Sequence, residues 1–239
     1  MTLFNGPVLF LAPAAILESL QSRLKPLQMA QLMLLPLDMQ SQIPSLPHNG
    51  LLISAGHADL AGYLQSAQWA QAQGWHHIDL ALIGEPQCAA QLGWMMAASG
   101  DDTALQLAAP LLDALAPAGR NSWLHAGGKG AASFLALLQH IMMQPLIESW
   151  KVIFPNGKPS PKADLSKLAE LQTAQWQAIA PLCQQYLALA ENRSFQALHT
   201  QLSAFSLPEH QEPAAALAQF LMQFFRRANT PASHHQPNS

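Results

Sequence analysis

The hydrophobic pattern divides the chain in two. In the first half, short and almost wholly apolar runs alternate with longer stretches whose apolar residues recur at helical spacing. Val8-Leu-Phe-Leu-Ala12 is ended by Pro13, the pattern of a strand buried on both faces. From Ala14 to Leu24 the apolar positions Ile16, Leu17, Leu20 and Leu24 fit one helix face. Residues 31–38 and 50–54 read as a second and third strand, separated by a loop rich in Pro, Ser and Asn. A helix over 58–73 stops at Gly74, a suitable C-cap. His77 to Ile83 resumes as a strand, and another is expected at Trp94–Ala98. Asp101 and Asp102 stand where an N-cap and first-turn acid would start a helix over 103–115.

After Gly127-Gly-Lys-Gly130 the period is helical throughout. Phe134, Leu138, Ile141 and Pro145 share one stripe of a helix over 131–150, with Leu137, His140, Gln144 and Ile147 beside it. A Pro/Gly loop follows at 155–162, then helical segments at about 164–190, 194–205 and 211–227. Residues 230–239 are Pro/Ser/His/Asn-rich without an apolar anchor and are expected to be a disordered tail. Strands alternating with helices predict a parallel, doubly wound α/β sheet, here over residues 1–125, followed by an all-helical domain over 126–229. In such architectures ligands bind at the carboxyl ends of the strands. The loops after residues 12, 54, 83 and 98 would then surround one cleft, together with the glycine loop at 127–130.

Composition narrows the setting. Of 239 residues, 50% are hydrophobic and 10% charged, which excludes a disordered chain. The longest nearly apolar run, Pro7 to Leu17, is far short of the roughly 20 residues needed to span a bilayer, so no membrane partner is expected. No Lys or Arg precedes that run, as a secretory leader would require. Two cysteines make no disulfide framework, so a cytoplasmic location is the expectation. Residues 1–119 carry two basic and eight acidic side chains, with no Lys or Arg between Pro26 and Gly119. A surface of that kind cannot release counterions from a nucleic acid, which is excluded as a partner. The pairs His76-His77 and His234-His235 lack Cys or carboxylate partners at ligand spacing, so no metal site is expected. Cys88 has no cation near it to lower its pKa and is expected to be a buried, inert thiol.

The stretch Leu51 to Glu148 resembles the β-hydroxyacid dehydrogenase family, which includes 6-phosphogluconate and 3-hydroxyisobutyrate dehydrogenases. The matching features occur in order: Leu-Ile-Ser-Ala-Gly56, Ile78-Asp-Leu-Ala-Leu-Ile-Gly84, Gly93, Gly100-Asp-Asp, Pro110-Leu-Leu, and Gly127-Gly-Lys-Gly130 ahead of a long helix. The resemblance implies an abbreviated Rossmann-like sheet, an NAD(P) cofactor and a homodimer formed through the helical domain. An apolar surplus on the last helices, including Met142, Met143, Trp150, Trp176, Phe220 and Phe224, points the same way.

The departures from the family bear on function. The family opens with Gly-x-Gly-x-x-Gly, which lets backbone amides approach a pyrophosphate; here the turn is Phe10-Leu-Ala-Pro-Ala-Ala-Ile16. Either this is a degenerate first βαβ unit ending at Asp38, or the chain starts at the family's fourth strand and the preceding half is lost. The positions available to an NAD are Ala12, Pro13, Asp38 and Ser54; the lack of any cation after the second strand speaks against NADP. By alignment, the family's catalytic Lys and Asn become Phe134 and Leu138, neither able to transfer a proton. Gly84, Glu85, Gly128, Gly130, Ser133 and Gln144 would border the substrate side, with His140 and Lys129 as the remaining catalytic candidates. The stripe Ser133, Leu137, His140, Gln144 would face the cleft if the register slips by one, but it reads first as the more polar side of a helix. The expectation is a catalytically degenerate binding or interaction module. The alternatives are an NAD(P)-dependent oxidoreductase with an atypical site, or a structural subunit of a longer partner. No natural ligand can be read from these residues.

Overall fold

The computed structural model describes residues 4, 6–43, 49–119, 122–158, 162, 164–190, 195 and 211–228. The chain runs β1 (Val8–Ala12), α1 (Leu17–Leu24), β2 (Leu32–Pro36), β3 (Leu51–Ala55), α2 (Leu60–Ala72), β4 (His76–Ile83), α3 (Pro86–Leu92), β5 (Met95–Gly100), α4 (Asp102–Leu115) and β6 (Leu124–Gly127). Three long helices follow: α5 (Ala131–Ile153), α6 (Leu165–Leu189) and α7 (Pro213–Ala228).

Six strands form one sheet in the order β2-β1-β3-β4-β5-β6, parallel except where β4 meets β5. The strand β1 lies between β2 and β3, with Phe10 opposite Leu34 on one side and Ile53 on the other. The strand β1 is therefore interior to the sheet, and the chain from β1 through α1 to β2 is a βαβ unit of it. The antiparallel β4–β5 pair departs from the all-parallel expectation. Segment 84–94 is shorter than the dozen or so residues a parallel crossover requires, and its short α3 returns the chain beside the strand it left.

Alternation along the strands assigns the two faces. Phe10, Ile53, Leu80 and Ala98 point toward α1 and α4, forming the largest apolar cluster with Leu20, Leu105 and Leu112. On the opposite face, Leu9, Leu11 and Leu52 pack with Trp75 and Ala70 of α2. Farther along that face, Ala81, Ala97 and Ala126 are small enough for α5 to lie directly on the sheet. Asp101 caps α4 as expected, its carboxylate accepting from the Ala104 N–H at 2.8 Å.

Some elements differ from the pattern's prediction. Both β6 and α3 were outside it, each too short to display a period. The helix over 131–150 extends to Ile153. The expected helix at 194–205 and tail at 230–239 lie outside the described residues. Among those described, no helix is long and apolar enough to cross a membrane.

Candidate functional site

At the carboxyl ends of β1, β2 and β3 the sheet opens onto a cleft of about 470 Å³. Pro13 and Ala14 form one wall, Leu37 and Asp38 a second, and Gly56 to Asp59 a third, closed below by Gly62 and Gln65 of α2. Gly56 holds φ at +77°, and a Cβ there would come within 2.5 Å of the Pro13 ring. The loop can therefore press on Pro13 only as glycine. Asp59 caps α2, its Oδ1 accepting from the Gly62 N–H at 2.7 Å.

Behind this wall, three side chains form a hydrogen-bonded chain. His57 Nε2 is 2.9 Å from Ser54 Oγ, which is 2.8 Å from His77 Nε2. Ser54 has a single hydroxyl proton, so it donates to one imidazole and accepts from the other. Tyr63 of α2 stacks on His77 at 5.5 Å and meets His57 edge-on at 6.3 Å. Burial pushes the His57 pKa down to about 4, against the pull of Asp59, and burial together with the neighbouring His57 pushes His77 down to about 3. Both imidazoles are neutral at pH 7.

On the same sheet face, the start of α5 is closed by a second polar cluster. The Ser133 N–H donates to Asp79 Oδ2 at 2.6 Å and its hydroxyl to Oδ1 at 2.8 Å; Ser99 donates to Oδ2 at 3.4 Å and accepts from the Ala132 N–H at 3.0 Å. Two of the first amides of the helix thus find acceptors supplied by β4 and β5. Burial raises the Asp79 pKa to about 6, while the bonds from Ser133 and Ser99 hold it lower than burial alone would. Gly130, at φ +74°, lets the loop approach Tyr63, whose ring would stand 3.2 Å from a Cβ.

The expected site residues divide between these places. Pro13 and Asp38 line the cleft. Ala12 and Ser54 are fully buried in their strands, and Ser54 is engaged by the two histidines. Gly84 and Glu85 are exposed at the start of α3; Gly128 and Gly130 are buried before α5, with Lys129 exposed between them. Ser133 is buried on Asp79, whereas His140 and Gln144 are exposed farther along the helix. Phe134 and Leu138 are buried, and Phe134 stacks on Tyr186 of α6 with ring centres 4.5 Å apart. Cys88 corrects the expectation of a buried thiol: it is exposed, because α3 buries only Ala89. Sequence reasoning missed His57, Tyr63 and the role of His77 and Asp79. The available signal was His77 and Asp79, two positions apart and so on one face of a strand that is apolar from Leu80 onward.

No family model matches the sequence, and no curated protein matches it. Solved structures do resemble it. An imine reductase from Pseudomonas sp. aligns over 77% of this chain and 74% of its own, at 12% identity and a TM-score of 0.51. The imine reductase of Streptomyces aurantiacus aligns over 76% and 77%, at 9% identity and a TM-score of 0.50. A 3-hydroxyisobutyrate dehydrogenase of Mycobacterium tuberculosis covers 92% and 94%, at 10% identity and a TM-score of 0.48. The class defined by the sheet and the helices laid on it is therefore an α/β Rossmann-like fold with a helical C-terminal part. Within that class, the chain shares its fold with the two imine reductases.

Proposed function

We propose that the protein is a non-catalytic relative of the β-hydroxyacid dehydrogenase family that keeps the fold as a ligand-binding module. The observation that carries this reading is the burial of Phe134 and Leu138, the positions aligned with the family's Lys and Asn, in apolar contact with α6 and α7. The dinucleotide that the fold implies does not fit the residues present. Pro13 has no amide proton, and the Ile16 N–H is taken by the Pro13 carbonyl at 3.0 Å. The cleft lining contains two carboxylates and no cation, which disfavours a pyrophosphate. His140 and Lys129, the candidates for an atypical oxidoreductase, are both exposed, and His140 lies about two turns beyond Ser133 along α5.

Titration of NADH and NADPH, followed by the fluorescence of the six tryptophans, tests the reading. No saturable change is expected; micromolar affinity for either would overturn it. We also infer that a second copy packs on the helical part. Supporting this, Leu146 and Trp150 of α5, Trp176 of α6 and Phe220 and Phe224 of α7 are all exposed large apolar residues. Light scattering should give twice 25.9 kDa, and a monomer mass at micromolar concentration would end the inference. With both cysteines unpaired, a reducing cytoplasm is the setting we propose.

A further inference from the structure

We propose that the cleft at the ends of β1 to β3 binds a small, phosphate-free organic cation, an ammonium compound held by Asp38, Asp59 and Nδ1 of His57. This rests on the reading of the chain as a binding module and names the class of ligand.

Three observations converge. First, the cleft is electrically one-sided. Asp38 and Asp59 border it, no Lys or Arg occurs between Pro26 and Gly119, and the turn that would offer amides to an anion holds Pro13. Asp59 Oδ1 is engaged by Gly62, leaving Oδ2 as the acceptor; the exposed Asp38 carboxylate makes no hydrogen bond among the described residues.

Second, His57 is 7% exposed, lines the cleft, and has no hydrogen-bond partner at Nδ1 among the described residues. With Nε2 engaged by Ser54, Nδ1 is the ring nitrogen that a molecule entering the cleft can meet. Nδ1 and Asp59 Oδ1 each lie 3.5 Å from the point where a Cβ on Gly62 would stand. Together they define one polar spot, kept open by the missing side chain of Gly62.

Third, the Ser54–His77 chain behind His57 allows this nitrogen to accept. When His57 donates through Nε2 to Ser54 and Ser54 donates to His77 Nε2, His57 Nδ1 carries a lone pair and both rings remain neutral. An ammonium group supplies donors to this lone pair and to two carboxylates, and these charge-assisted bonds are the strong ones.

The test is a charge series of one size: butylammonium, butanol and butyrate, with inorganic pyrophosphate and NADH beside them. Each is titrated into protein with ring-labelled histidine, following the His57 resonance assigned through His57→Gln. Butylammonium should saturate the His57 shift at millimolar concentration, as befits a ligand of few atoms, while butyrate and pyrophosphate leave it unmoved. Asp38→Asn should weaken butylammonium about fivefold, the scale of one exposed charge pair. Gly62→Ala puts a methyl into the polar spot and should weaken it about tenfold, the scale of one or two lost hydrogen bonds. Its melting temperature should hold or rise, since alanine replaces glycine inside a helix. The proposal is overturned if butyrate or pyrophosphate binds as tightly as butylammonium, if butylammonium does not move His57, or if neither substitution weakens it. NADH saturating the same resonance would overturn the non-catalytic reading as well. Loss of cation selectivity without NADH binding would leave that reading standing.

Discussion

At the β1–β3 end of the sheet, Asp38, Asp59 and His57 border an open cleft; at the β4–β6 end, Asp79, Ser99 and Ser133 are closed beneath α5. Both groups sit on one sheet and are of similar chemical type, yet their situations are opposite. Asp79 receives three donors from Ser133 and Ser99 and has little capacity left for a ligand. Asp38 has none of these bonds. A carboxylate saturated by the fold holds elements together, whereas one left unsatisfied at a cleft is available to something from outside. The same contrast describes α5, which is anchored by polar bonds at its start and by the stack of Phe134 on Tyr186 one residue later.

The largest way to break this contrast is to place a lysine in the buried start of α5. Phe134→Lys removes a fully buried aromatic stacked on Tyr186, a loss of about 3–5 kcal/mol, and an unpaired buried ammonium adds to it. Chemical denaturation should show this loss, and no dehydrogenase activity should appear. A variant of unchanged stability would mean that the β4–β6 end is not closed.

Asp79→Ala comes next. It leaves the Ser133 N–H, the Ser133 hydroxyl and the Ser99 hydroxyl without their acceptor inside the protein, at a cost of about 2–3 kcal/mol. Hydrogen exchange should locate the loosening in the first turn of α5. Asp38→Ala, at the open end, should change stability by less than about 0.5 kcal/mol, as is usual for a surface substitution. Equal losses from the two would erase the distinction between the two ends.

The sheet end of the molecule was far more legible in the sequence than either polar cluster. Apolar runs such as Val8–Ala12 and Leu51–Ala55 are buried on both faces, so their composition alone declares them. A four-residue strand such as β6, with a buried histidine in it, carries no period. The resemblance drew attention to Phe134, and the structure buries that ring against Tyr186. The His57–Ser54–His77 chain is assembled from two strands and a loop, and its geometry depends on β3 and β4 being neighbours in register, with Ser54 opposite Asp79 and Leu52 opposite His77. That pairing is not a local property of the chain. Asp79 was noticed only as part of a motif, since a polar residue in a strand reveals its partner only when α5 is laid across it.

The smallest effect concerns acid, and it distinguishes the two ends by sign. His57 and His77 have folded pKa values near 4 and 3, below the ordinary 6.5. Their preference for the neutral form supports the fold above pH 6.5, and that support is lost as pH falls from there toward 4. Asp79 runs the other way. Its folded value of about 6 exceeds the ordinary 3.8, so its contribution is full below pH 3.8 and disappears as pH rises to 6. Between pH 6.5 and 4 two groups lose stability while one regains it, and the protein should become less stable on acidification. His57→Gln should flatten that slope by about 1.4 kcal/mol per pH unit, the linkage of one proton. Asp79→Asn should steepen it, because the compensating carboxylate is gone. Urea midpoints measured at half-unit steps of pH separate the three curves; parallel curves would show that neither the histidine chain nor Asp79 changes protonation with folding.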